Sequence, residues 1–427
     1  MRPKVYCSDS PHQLDRVPLG FHGHTLGKDE RDGCPVKIVI LSSIASSLIN
    51  FRGRLIADLA AAGHQVIASA PDYDEDVVDA LMRMGVRFRR ISMARAGLNA
   101  LQDLKTLVSF IVLLRRERPD LLLAYTQKPI IYGGLAARLT GTSFFVIMSG
   151  LGYVFSDACA HRPWLRGTVA ALYRHAVRRA RTIFVFNSDD ARCMADHGII
   201  DGHVRIVQVP GSGVDLDHFA ECPMPRGPPT FIMIARLMRD KGVADYVQAA
   251  SLVREQVPDA RFRLLGKPET DNPTGLSADT VRTWVQRGLV EHLPECTDVR
   301  PHLADAHVFV LPSFYREGLP RTLLEALATG RPVITTDMPG CREPVIPGEN
   351  GWLVPCRQPR ALADAMLQSI ASRAKLERMG RRSREIAEER FDVVKVNHQM
   401  FRSMRIEPSS GKCSAQVPQA VTAAGTA

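Results

Sequence analysis

Four charged side chains in the second half of the sequence have the types and spacing to handle a polar, multiply anionic ligand. Glu317 and Glu325 lie eight residues apart in FVLPSFYREGLPRTLLEALATGRPVITTDMPGCREPV, at 309–345. In a single helix this spacing would set them about 80° apart around the axis and about two turns apart along it. Gly318 and Pro320 break the run instead, so Glu317 is expected in a loop and Glu325 in a helix that starts near Pro320. Unpaired N–H groups over 319–322, with Arg316 and Arg321 beside them, favour phosphate. A solvated helix start with ordinary surface acids is the plainer alternative. Upstream, ARLMRDKG at 235–242 places Arg236 and Lys241 around one loop. Two cations there can converge on one multianionic group, such as a nucleoside diphosphate.

These loops need strands and helices to aim them. From Val36 onward, apolar runs alternate with helical stretches: VKIVIL, QVIAS, VRFRRI, DLLLAY, FFVIM, TIFVF and VRIVQV, then TFIMIARL, RFRLLG, VEHL and HVFVLP. The alternation predicts an α/β protein with parallel sheets covered on both faces, in two successive units. Ligands then meet the loops at the carboxyl ends of the strands.

In the first unit the loop at 42–50 carries no GxGxxG, so the dinucleotide fingerprint is absent. It offers Ser42, Ser43, Ser46, Ser47 and Asn50 instead, followed by Arg52 on the first helical turn. A cation there opposes the helix dipole and needs a partner, which is either an anionic ligand or a neighbour such as Asp58. Thr126 and Lys128 follow the strand DLLLAY, with Lys128 placed to meet a diphosphate or simply to sit on the surface. Gly150 and Gly152 permit close backbone approach to a ligand. Tyr153 and Phe155 could cover an apolar chain or plug the core. Asn187 and Ser188 end a strand and cap the next helix.

A chain of 427 residues, 45% hydrophobic and 6% aromatic, is long enough for two globular cores. Its nine cysteines form no CxxC pair, which points to a reducing compartment and against structural zinc. No secretory signal or membrane-spanning run is expected. The net charge of +10 is concentrated at 37–214, with 22 basic against 14 acidic side chains. That half could face anionic lipid or a diphosphate-bearing substrate. Nucleic-acid binding has only charge behind it and is not expected.

Taken together, EGLPRTLLE, ARLMRDKG and GSGVDLDHF resemble the retaining, nucleotide-sugar-dependent glycosyltransferases of the GT-B fold, the large family that makes bacterial surface polysaccharides and glycolipids. The resemblance covers roughly 36–404. TQKPIIYGGLAAR and SGLGYVF are similar to enzymes that act on polyprenyl-diphosphate-linked saccharides. The chain departs from many relatives in its serine-rich first loop and in lacking an obvious acceptor-side catalytic histidine.

The resemblance implies two Rossmann-like domains facing across a cleft. A leader at 1–35 and a tail at 406–427 are expected to be disordered. Between them lie an acceptor domain at 36–214, a hinge at 215–229, a donor domain at 230–390 and a returning helix at 391–405. Glu317 would meet the donor sugar and Glu325 the ribose, with Arg236 and Lys241 on the diphosphate and Gly318, Leu319 and Pro320 presenting backbone. Arg52, Thr126, Lys128, Gly150, Gly152 and Tyr153 would form the acceptor side. The implied reaction moves a hexose or N-acetylhexosamine from a nucleoside-diphosphate sugar, expected to be UDP-linked, onto a lipid-linked glycan. No metal or cofactor is required, and the enzyme would work at the inner face of the cell membrane. A nucleotide-sugar epimerase, which would consume its substrate without an acceptor, and a non-enzymatic assembly subunit are the rival readings.

Overall fold

Runs of β-branched and apolar residues become the inner strands of two parallel sheets. The computed structural model describes residues 35–94, 99–155, 162–270, 272 and 274–406. The expected leader and tail therefore lie outside the described residues, apart from Pro35 and Ile406.

The first sheet contains β1 (Lys37–Leu41), β2 (Gln65–Ala70), β3 (Arg87–Arg90), β4 (Leu121–Tyr125), β5 (Ser143–Met148), β6 (Thr182–Val185) and β7 (Ile206–Gln208). Around it run α1 (Ser46–Asn50), α2 (Gly53–Ala61), α3 (Glu75–Arg83), α4 (Ala100–Glu117), α5 (Gln127–Thr140), α6 (Pro163–Val177) and α7 (Ser188–Asp196). The strand order is β3-β2-β1-β4-β5-β6-β7, all parallel, with the reversal of direction between β1 and β4. Ile38, Val39, Ile40 and Leu41 are fully buried, because helices cover both faces. The helix starts follow side-chain chemistry: Asp74 accepts from the N–H of Val77 and Asn99 from those of Leu101 and Gln102.

The second sheet repeats the plan with β8 (Thr230–Ile234), β9 (Arg261–Leu265), β10 (Glu291–Leu293), β11 (Val308–Leu311), β12 (Val333–Thr336) and β13 (Gly351–Val354). Its order is β10-β9-β8-β11-β12-β13, so the reversal falls between β8 and β11. Its helices are α8 (Val243–Gln256), α9 (Ala278–Gln286), α10 (Arg300–Ala304), α11 (Arg321–Ala328), α12 (Pro359–Ile370) and α13 (Arg373–Ile386).

A π-type turn at Ala387–Phe391 leads into α14 (Val393–Met404), which crosses back to the first unit. Its Val396, Met400, Phe401 and Met404 share a core with Ile38, Leu48 and Leu59. Asn397 also donates to Asp58 at 2.7 Å. The two chain crossings lie side by side: Val214 N–H donates to Phe391 O at 2.8 Å, and Val393 N–H to Val214 O at 3.0 Å.

Arg331, fully buried, pins the linker that precedes β8. Its guanidinium donates to the carbonyls of Leu303, Cys222, Pro223 and Ala304 at 3.0–3.2 Å. A buried cation so fully satisfied is structural cement, and sequence patterning gave no sign of it.

Candidate active site

The carboxyl ends of β8 and β11 carry two loops that are locked together. After β8, a short turn at Arg239–Lys241 ends at Gly242, whose φ is 74°. A Cβ at Gly242 would collide with the Pro312 carbonyl oxygen, so glycine is what lets the loops touch. The N–H groups of Phe314 and Tyr315 both donate to Asp240 O, at 2.9 and 3.1 Å. Lys241 and Glu317 thereby meet as an ion pair, with side chains only 14% and 13% exposed. Ser313 Oγ donates to the same Glu317 oxygen at 3.1 Å, and Lys241 Nζ stands 5.8 Å from the centre of the Tyr315 ring.

Glu317 precedes α11, whose first turn has Pro320 at the cap position and no side-chain cap. Its leading N–H groups are thus left to water or a ligand. Glu325, one turn into the helix and buried, has Arg321 Nε 2.8 Å from its Oε1. Burial raises the Glu325 carboxyl above the usual range, against the pull of Arg321. Arg236 is exposed, and its side chain has no partner among the described residues, so nothing here joins it to Lys241 or Glu317.

Facing this wall are the loops of the first unit. The serines of the first loop bond to one another and to their neighbours: Ser42 Oγ lies 2.6 Å from Ser47 Oγ, which lies 3.0 Å from the Tyr125 hydroxyl. Asp58 takes Arg54 at 2.9 Å, not Arg52. Arg52 is 4% exposed, between the Tyr125 and Phe186 rings at 5.1 and 5.5 Å. Its Nε meets no acceptor, and Nη1 reaches only Phe51 O at 3.4 Å. Burial holds its pKa down at about 10, with Arg321 pushing the same way and Tyr125 opposing. Cation–ring contacts contribute about 0.5–2 kcal/mol, short of the several kcal/mol that an ion loses on leaving water.

Thr126 takes φ 67°, ψ 157°, a strained conformation for a non-glycine residue, and its buried Oγ1 is unpartnered. Lys128 is paired with Asp103 at 2.9 Å. Gly150 and Gly152 have φ of 120° and 71°, and Gly150 lies against Gly318. The side chain of Tyr153 lies outside the described residues. Phe155 belongs to the first unit's core, edge-on to His197 at 5.2 Å.

The two walls touch at Gly318. A Cβ there would run into the Ser149 carbonyl oxygen. Asn187 Nδ2 donates to Gly318 O at 2.8 Å, while its Oδ1 accepts from Asp190 N–H at 2.7 Å. Leu319 packs against both cores. Asn187 and Ser313 were not singled out as site residues from sequence; the available signal was that each lies two residues past the carboxyl end of a strand.

Asp190, fully buried, leaves Oδ1 unpartnered, and burial pushes its carboxyl up to about 7. Arg316 and Asn187 pull it down, while Asp189 and Glu343 push it further up. The folded state therefore holds this proton more tightly than the unfolded chain, whose Asp titrates near ~3.9. The resulting stability is full below about pH 4 and is lost as pH rises through about 7. Between pH 5 and 8 this loss is expected to reach about 2–3 kcal/mol. Urea unfolding at three pH values should find the slope flattened in Asp190→Asn; an unaltered slope would assign the titration elsewhere.

Two Rossmann-like units, meeting through the loops at their strand ends, define the GT-B class of glycosyltransferase. The chain belongs to that family: a glycosyl transferase 4-like domain matches 50–210, and a glycosyl transferases group 1 domain matches 228–372. Among relatives, N,N'-diacetylbacillosaminyl-diphospho-undecaprenol alpha-1,3-N-acetylgalactosaminyltransferase of Campylobacter jejuni is 24% identical over 343 residues, 77% of this chain and 88% of its own. The UDP-Gal:alpha-D-GlcNAc-diphosphoundecaprenol alpha-1,3-galactosyltransferase of Escherichia coli is 28% identical over 262 residues, 57% of this chain and 64% of its own. The fold matches that of Anabaena HepE in complex with UDP and glucose, with a TM-score of 0.71 at 19% identity over 87% of this chain and 99% of that one.

Proposed function

We propose that this glycosyltransferase moves a hexose or N-acetylhexosamine from a UDP-sugar to a polyprenyl-diphosphate-linked saccharide, with retention, in surface polysaccharide synthesis. The observation that carries the reading is the Lys241–Glu317 pair beside the uncapped start of α11 at the β8/β11 reversal. The two relatives described above, whose names specify undecaprenyl-diphosphate-linked substrates, support the acceptor class. UDP in the name of one of them and in the HepE complex supports the nucleotide.

In this reading the second unit is the donor half and the first the acceptor half. Arrival of the diphosphate draws Lys241 from Glu317, freeing that carboxylate for the sugar hydroxyls. Lys241, joined by Arg236 and the N–H groups of Gly318 and Leu319, then stabilises charge growing on the nucleoside diphosphate as the C1–O bond breaks. Glu325 takes the ribose hydroxyls. Front-face attack, with the leaving phosphate accepting the acceptor proton, retains configuration.

A panel of nucleotide sugars assayed with polyprenyl-diphosphate-linked acceptors tests this. Nucleoside diphosphate should appear only when the acceptor is present. Consumption of the nucleotide sugar without acceptor would instead indicate an epimerase.

The acceptor chemistry calls for contact with lipid, and among the described residues no helix is long and apolar enough to cross a membrane. On α4, Leu101, Leu104, Val108 and Val112 are exposed. Their spacing keeps them within an arc of about 80°, bordered by exposed Lys105 and Arg116, with exposed Arg115 on the same face past Val112. Trp164 at the start of α6 is 67% exposed. This is the pattern of an interfacial helix on anionic lipid. The double variant Leu104→Glu/Val108→Glu is expected to reduce partitioning onto phosphatidylglycerol vesicles at least about tenfold, the loss of two buried CH₂ groups at about 0.8 kcal/mol each already sufficing for that. Wild-type co-sedimentation of the variant would rule this face out.

A further inference from the structure

Among the described residues two arginines are buried almost completely, and they are treated in opposite ways. Arg331 is surrounded by four carbonyl oxygens. Arg52, 4% exposed, has two aromatic rings, one long contact to a carbonyl and an orphaned Nε. Among the described residues no carboxylate pairs with it. The start of α11 lies close by, since a Cβ at Gly318 would stand 3.0 Å from the Phe186 ring that flanks Arg52, and the charge this helix start brings is a second cation, Arg321. Arg321 itself has only Glu325. Glu325 is taken by Arg321, whose side chain keeps 30% exposure, so the buried Arg52 is left without a carboxylate and its charge is uncompensated.

The surroundings repeat the deficit. Thr126, directly after Tyr125 in the chain, holds a strained backbone and an unpartnered buried hydroxyl, and Asn50 Oδ1 is buried and unpartnered too. Arg52 and Thr126 follow β1 and β4, the strands that flank the reversal in the first sheet, where an open parallel sheet receives ligands. A folded chain retains an unpaired buried cation when something it binds completes it.

We propose that Arg52 of the first unit and Arg321 of the second form a phosphoryl subsite, separate from Lys241, that takes one phosphate of a diphosphate when the cleft is occupied. A guanidinium suits this role because its planar fork pairs two N–H groups with two phosphate oxygens. The site needs a residue from each unit, so its ligand also joins the halves. The inference rests on the proposed reading in one respect: it takes both the donor and the acceptor to carry a diphosphate, and either can supply the anion.

Thermal unfolding of the full-length protein and of Arg52→Met, alone and with inorganic pyrophosphate, UDP or farnesyl diphosphate, tests it. Without ligand, Arg52→Met is expected to melt no lower than the wild type, because it removes an uncompensated charge. It should lose the Tm rise given by pyrophosphate, with at least tenfold weaker binding. Loss of the UDP response alone assigns the donor diphosphate, loss of the farnesyl diphosphate response alone assigns the lipid one, and Arg52→Lys should recover part of whichever is lost. All three responses at wild-type strength would overturn the subsite. So would a clear fall in the ligand-free Tm, which would mark Arg52 as a structural cation. Should Arg52→Met fail to fold, Arg321→Met is read by the same criteria. Pyrophosphate binding needs no sugar transfer, so failure of the proposed reaction and failure of this site are separate results.

Discussion

Lys241→Ala is expected to fold and melt as the wild type does while losing about 10²–10³-fold in turnover. The magnitude is that of removing one preorganised group aimed at charge that develops in a transition state. Lys241 is suited to that loss because its site is already built: Gly242 and Pro312 hold the two loops in contact, and Glu317 keeps the ammonium in place. Little stability should go with it, since removing the lysine leaves Glu317 its Ser313 hydrogen bond and some access to water. Steady-state assays beside a melting curve check both halves of the expectation. Wild-type turnover in the purified variant would remove Lys241 from the reaction.

Gly318→Ala should be nearly as damaging for a different reason. The added methyl would collide with the Ser149 carbonyl oxygen and stand 3.0 Å from Phe186 Cδ2, so the units could not meet as they do here. The Asn187 hydrogen bond to Gly318 O would be strained with them. A misplacement of about 1 Å between reacting groups can cost about 10²-fold in rate, and that is the expected loss. Solution scattering should show a more open particle. An unchanged scattering profile with full turnover would mean that this contact is dispensable.

The sheets were legible because strands buried on both faces must be continuously apolar, as KIVIL at β1 and VFVL at β11 are. The loop before α11 was legible through its punctuation: Gly318 disfavours a helix and Pro320 is tolerated only at its start, which separates Glu317 from Glu325. What the chain hides is whatever depends on how the units meet. Asn187 reads as a helix cap, and it is one, but its second hydrogen bond goes to a carbonyl 131 positions away. Lys128 reads as a cation either for a diphosphate or for the surface, and the structure pairs it with Asp103 on the preceding helix. The serines of the first loop read as ligand hydroxyls, whereas Ser42 and Ser47 are spent on each other and on Tyr125. Arg52 reads as a cation in need of a partner, and no local pattern could reveal that it would be buried without a carboxylate. Such facts belong to contacts made across long stretches of chain, where neither periodicity nor spacing reaches.

The returning helix α14 has a consequence for how the protein is made. Because Val396, Met400 and Phe401 cover part of the core formed by Ile38, Leu48 and Leu59, the second unit is topologically an insertion within the first. A ribosome delivers the first seven strands long before the helix that finishes their core. Until residue 404 emerges, that face stays uncovered, and the unit that begins first is the one that must finish folding last.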